Sequence, residues 1–69
     1  MNDTNEMNEK LEFFRTREIK VHLELNNGRF YNGMIVEFET ENVVVFNDRV
    51  CGMLHIFLTD IKLIEEFRE

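Results

Sequence analysis

Few backbones accommodate the stretch from Lys20 to Gly33, which reads Lys-Val-His-Leu-Glu-Leu-Asn-Asn-Gly-Arg-Phe-Tyr-Asn-Gly. Val21, Leu23 and Leu25 alternate with Lys20, His22 and Glu24, the period-2 pattern of a strand with one dry face and one wet face. Asn26-Asn27-Gly28 tolerates positive φ and lets the chain reverse tightly. A second extended run starts at Arg29 and soon meets Gly33, and a lone glycine inside a strand marks a bulge, a sharp bend or a close backbone approach. The pattern predicts a hairpin whose second strand bends strongly, as small barrels require.

Met1 to Asn5 reads as a frayed polar start. Asp3 and Glu6 place negative charge where a helix N-terminus favours it, and Met7, Leu11 and Phe14 stand at i, i+4 and i+7. A helix from about Thr4 to Arg15 follows, its apolar stripe packing over an open end of the barrel or, alternatively, meeting a partner. The second strand runs from Arg29 to about Glu39. In it Phe30, Met34, Val36 and Phe38 share one parity, with Tyr31, Ile35, Glu37 and Glu39 on the other. Apolar Ile35 on the wetter parity predicts a phase shift at a bulge near Gly33. Val43-Val44-Val45-Phe46 is too hydrophobic for a face in water and predicts a strand buried on both sides. Asn47-Asp48-Arg49 reads as a turn, Val50 to Phe57 as a fourth strand, Leu58-Thr59-Asp60 as a connection and Ile61 to Ile64 as a last strand. The expected fold is a single mainly β domain over residues 1–69. It has an N-terminal α-helix at about 4–15, a strongly bent five-stranded antiparallel small barrel at about 18–64, and an acidic tail at 65–69.

With 69 residues, such a domain buries little of its surface, and Cys51 as the sole cysteine excludes a disulfide within the chain. His22, Cys51 and His55 offer only a Cys-x3-His pair, short of a zinc set, so no metal or other cofactor is expected. Yet 43% of the residues are hydrophobic, seven of them Phe, which makes self-association the natural stabiliser. The fourth and fifth strands would form apolar edges carrying little blunting charge. Pairing the fourth strand of one copy with the fifth of the next would remove both edges and close a homo-oligomeric ring. The alternative is a monomeric SH3-like barrel. A net charge of −6 opposes broad binding to DNA or to an anionic membrane. The polar N-terminus and the free thiol point to the cytoplasm. No acid, base and nucleophile stand at a workable spacing, so no catalysis is expected.

These elements, in this order, resemble the Sm-like family, which includes the Sm and LSm proteins and bacterial Hfq. The resemblance spans roughly Ile19 to Ile64. Leu23, Leu25, Gly28, Phe30, Gly33, Ile35, Phe38 and Glu39 follow the first family motif, with Glu where Asp is usual, and Asn42 leads into the next strand. Gly52, Ile56, Ile61 and Ile64 take the glycine and isoleucine places of the second motif. The resemblance implies an Sm-like barrel, rings of about five to seven subunits, and single-stranded RNA bound at the pore by two loops. Carried onto this chain, that site comprises Glu39, Asn42, Phe57 and Thr59. The first loop, Glu39-Thr40-Glu41-Asn42, is one residue shorter than the family pattern and lacks its aromatic. The second, Ile56-Phe57-Leu58-Thr59, lacks the arginine and glycine. A ring of this size would carry roughly −30 to −42 charges, an unfavourable far field for phosphate. Two functions therefore stand beside each other: an RNA-binding ring with an altered pore, and an oligomeric scaffold that docks proteins.

Elsewhere, Arg17, Lys20 and Arg29 are candidates for a small basic patch. Phe57 reads either as a stacking platform or as interface, and Glu37, Glu39 and Glu41 as a cation-binding carboxylate row or a solvated face. His22 should point outward, His55 should lie near a subunit seam, and Cys51 should be inert.

Overall fold

The computed structural model describes residues 3–68. The Asp3 side chain, read as negative charge at the helix N-terminus, the segment before it and the final residue of the tail lie outside the described part. Helix α1 spans Asp3–Thr16, so helical backbone already includes residues expected to fray. Its stripe meets the core as expected: Leu11 and Phe14 are buried and Met7 packs beside them. Burying each such side chain contributes about 1.5–3 kcal/mol.

What ends α1 is a glycine-type cap built without glycine. Glu18 takes a left-handed φ of 53°, the Glu18 amide donates to the Arg15 carbonyl, and the Ile19 amide reaches back to Phe14 at 3.0 Å. This paired closure satisfies the last carbonyls while Ile19 packs against the same core as Phe14. A β-carbon in the left-handed region costs about 1–2 kcal/mol, which the core contact offsets.

Five strands follow: β1 (Val21–Leu25), β2 (Phe30–Thr40), β3 (Val43–Asp48), β4 (Gly52–Phe57) and β5 (Ile61–Glu66). A 3-10 turn, Leu58–Asp60, joins the last two. The turn after β1 uses only one positive φ, at Gly28, while its amide donates to Leu25 and the Leu25 amide donates to Arg29 at 2.8 Å. Neither asparagine adopts the left-handed region that the sequence allowed them.

The sheet is antiparallel with order β4-β3-β2-β1-β5. It does not close into the expected barrel. The Leu58–Asp60 turn drives Leu58 into the core and sends β5 across to pair with β1, so β4 and β5 become the two unpaired edges. The fourth strand begins two residues later than expected, because Val50 and Cys51 belong to a turn, and the fifth extends two residues further.

β2 holds the sheet together by changing partners. Its first part pairs with β1 and its remainder with β3, and Gly33 faces Val21 in one ladder and Asp48 in the other. The expected bulge at Gly33 is absent. The register shifts instead between Ile35 and Glu37 and between Phe38 and Thr40. The glycine is there for close approach: a β-carbon at this position would lie 1.9 Å from the Asn47 carbonyl oxygen. Before the shift the facing is the reverse of the expected one: Tyr31 and Ile35 turn to the core, whereas Phe30 is 60% exposed and Val36 lies outside. Past it Phe38, on the other parity, packs against the core. Val44, Val45 and Phe46 are buried on successive positions, as the hydrophobic run predicted. No described helix is long and apolar enough to cross a membrane.

Replacing Gly33 with alanine must push β2 away from β3. We expect Gly33→Ala to lower stability by about 2–3 kcal/mol, read as a lower urea midpoint; an unchanged midpoint would mean the two backbones separate freely.

Candidate functional site

Backbone hydrogen bonds gather three connections at one end of the sheet. The Leu58 amide donates to the Asn42 carbonyl at 2.9 Å, tying the turn after β2 to the turn after β4. The Asn26 amide donates to Asp60 at 2.8 Å, and Asn26 Nδ2 donates to the Thr59 carbonyl at 3.0 Å, adding the turn after β1. The Thr40 hydroxyl accepts from the Asn42 amide and shapes the shortest of these turns.

This bracing brings Asn42, Phe57 and Thr59 together, with Val43 directly opposite Phe57 across the ladder. Phe57 is 57% exposed on the outward parity of the β4 edge, beside exposed Met53 and His55. Glu39 joins the group through its carboxylate, which accepts from His55 Nδ1 at 3.0 Å. Both partners are more than half exposed, so the pair orients His55 more than it stabilises the fold. The cluster supplies one aromatic face, an amide, a hydroxyl and an imidazole, alongside the carboxylates of Glu39 and Glu41. No lysine or arginine stands in the chain from Glu39 to Asn42 or from His55 to Asp60. Such a site can stack a base and offer hydrogen bonds, but neutralises no phosphate. Glu37, Glu39 and Glu41 are all exposed, and among the described residues no three His, Cys, Asp or Glu side chains converge as metal ligands.

The basic residues fall out differently from the expected patch. The Arg17 guanidinium sits over the Phe13 ring, 4.7 Å from its centroid. Lys20 precedes β1 and Arg29 lies past its far end, separated along the strand by about 15 Å. Lys20 instead shares a groove of about 370 Å³ with Asn32, Asn47, Arg49 and Phe67, where the Arg49 guanidinium lies 5.9 Å from the Phe67 ring centroid. Arg49 was legible only as a turn residue; its neighbour Phe67 lies distant in sequence, beyond any local signal.

Two polar residues matter more than the sequence suggested. Asp48, read as part of a turn, is buried at the end of β3. Burial pushes its carboxyl upward, but the Cys51, Val50 and Asn32 amides donate to it at 2.7, 2.9 and 3.0 Å and hold it below the usual carboxylate range. His22 lies on the outward face of β1, as expected, opposite core-facing Val21 and Leu23, with its side chain 21% exposed. Its Nδ1 faces Asn32 Oδ1 at 2.7 Å and its Nε2 faces Glu24 Oε2 at 3.1 Å. Two acceptors are both satisfied only by the doubly protonated ring, so Asn32 first and Glu24 second raise its pKa above the ordinary 6.5. Cys51 is exposed and free.

No protein-family model matches this chain, and no curated protein matches it.

A raised folded-state pKa means that the His22 contribution is complete below the unfolded value near 6.5 and is lost as pH climbs through the folded value. We expect the urea midpoint of the wild type to fall across that window relative to His22→Gln, whose profile should be flatter. Parallel profiles would remove the imidazolium from the account.

Proposed function

We propose that the chain is the subunit of an Sm-like ring that binds single-stranded RNA at the turns around Phe57. The observation that carries the ring is the strand order: β4 and β5 are the two unpaired edges of one open sheet. Met53 and Phe57 on one edge strand and Leu63 on the other are exposed, apolar surface that pairing between copies would help cover. A β4-to-β5 contact is heterologous, so each subunit uses two different surfaces and the rotation between copies sets the ring size. Assembly of this kind would repeat the cluster of Asn42, Phe57 and Thr59 once per subunit, and repetition compensates for a weak single site. The exposed thiol of Cys51 suits a reducing cytoplasm.

The RNA reading rests on Phe57, an exposed ring beside amide and hydroxyl groups, together with the motif resemblance. One observation favours the second reading, a ring that acts as a protein scaffold: the turn cluster holds carboxylates and no cation, in a chain of net charge −6.

Native mass spectrometry combined with oligouridine and oligoadenosine titrations separates these outcomes. A closed oligomer that binds one oligonucleotide, with affinity reduced about tenfold by Phe57→Ala, is the expected result. A closed oligomer indifferent to both oligonucleotides at low salt leaves the scaffold, and a folded monomer removes the ring itself.

A further inference from the structure

Between α1 and the later part of β2 lies an open groove of about 590 Å³, within the range of sites that hold sizeable ligands. Its apolar floor is Phe13 and Phe38, and its rim carries Glu9, Glu12 and Glu41. From this combination we infer that the groove docks a basic, amphipathic segment of a partner protein, with large apolar side chains on the floor and Lys or Arg at the rim.

The floor is rigid and unfinished. Phe13 meets buried Phe14 edge to face, with centroids 5.8 Å apart, yet remains 48% exposed although its helix is anchored in the core by Leu11 and Phe14. Arg17 lies over the ring and leaves the rest of Phe13 to the groove. A large aromatic held this firmly offers contact area at low entropic cost.

The rim selects charge. Glu12 is neutralised by Arg15 on its own helix, but Glu9 and Glu41 have no cationic partner among the described residues. Phosphate is repelled by such a rim, whereas Lys and Arg complement it. In the wall, Asn8 Oδ1 is buried and has no hydrogen-bond partner among the described residues.

Position argues against a second copy of this acidic chain. The groove is built on α1 and on the end of β2, the central strand, and none of its lining residues belongs to β4 or β5, although Glu41 adjoins Asn42 of the turn cluster. Phe13, on α1, is the part of the groove that the turn cluster does not share.

The test uses the full chain and a fluorescein-labelled helical peptide of about twelve residues, with Leu and Phe on one face and Lys on the other. Fluorescence anisotropy should show saturable binding that weakens with salt. The double variant Glu9→Lys with Glu41→Lys, and separately Phe13→Ala, should each weaken it about tenfold or more. The same charge change on β5, Glu65→Lys with Glu66→Lys, and Phe57→Ala should leave it within about twofold. Amide shifts on peptide addition should centre on Asn8, Phe13 and Phe38. The rim variants alter only exposed side chains, so the test survives a Phe13 variant that fails to fold. Absence of saturable binding, an equal loss in the β5 variant, or shifts centred on the β4 edge would each overturn the proposal.

Discussion

The contact between Gly33 and the Asn47 carbonyl governs how the sheet is assembled. β2 pairs with β1 and then with β3, and Gly33 is where the two ladders meet. Only a residue without a β-carbon lets the Asn47 backbone come this near. Once β2 and β3 are locked at that spacing, Asn32 is placed to donate its amide to Asp48 and to hold His22 through its side chain. A backbone contact thus sets both the core register and a polar line running from β1 to the turn after β3.

The same arrangement leaves the molecule unevenly finished. The core between sheet and helix is dense, centred on Leu11, Val21, Leu23, Val44 and Phe46. Outside it, the edge strands carry Met53, Phe57 and Leu63, and the helix face carries Phe13. A domain of this length has too little interior to hide all its aromatic side chains, and surplus apolar area is available for contacts with other molecules. Charge then distinguishes the surfaces. Lys20 and Arg49 share one groove, while carboxylates surround both the Phe57 turns and the Phe13 groove. Net charge alone conceals this partition.

Periodicity was informative where one face was buried and the register ran undisturbed. The β1 alternation, the buried run at Val44 to Phe46 and the stripe of α1 all reached the core as their spacing required. Parity failed in β2, because the register shifts beyond Ile35 and a one-residue displacement exchanges the two faces. Asp48 was misread for a different reason. It is polar and was read as part of a turn, and its burial is made tolerable by the amides of Asn32 on β2 and of Val50 and Cys51 in the turn that follows. For the candidate site, the resemblance implied that the loops of Asn42 and of Phe57 and Thr59 belong to one site, whereas the separation of Arg29 from Lys20 and the shared groove of Lys20 and Arg49 were not expected.

From the amino-acid order alone came the helix, the five strands, the tight turn at Gly28 and the need for something unusual at Gly33, since these depend on local conformational preference and on short-range periodicity. Tertiary structure alone decided that β5 pairs with β1, that Gly33 serves contact instead of a bulge, and which charged groups share a groove. Those outcomes depend on distances between residues far apart in the chain, which short-range pattern does not encode.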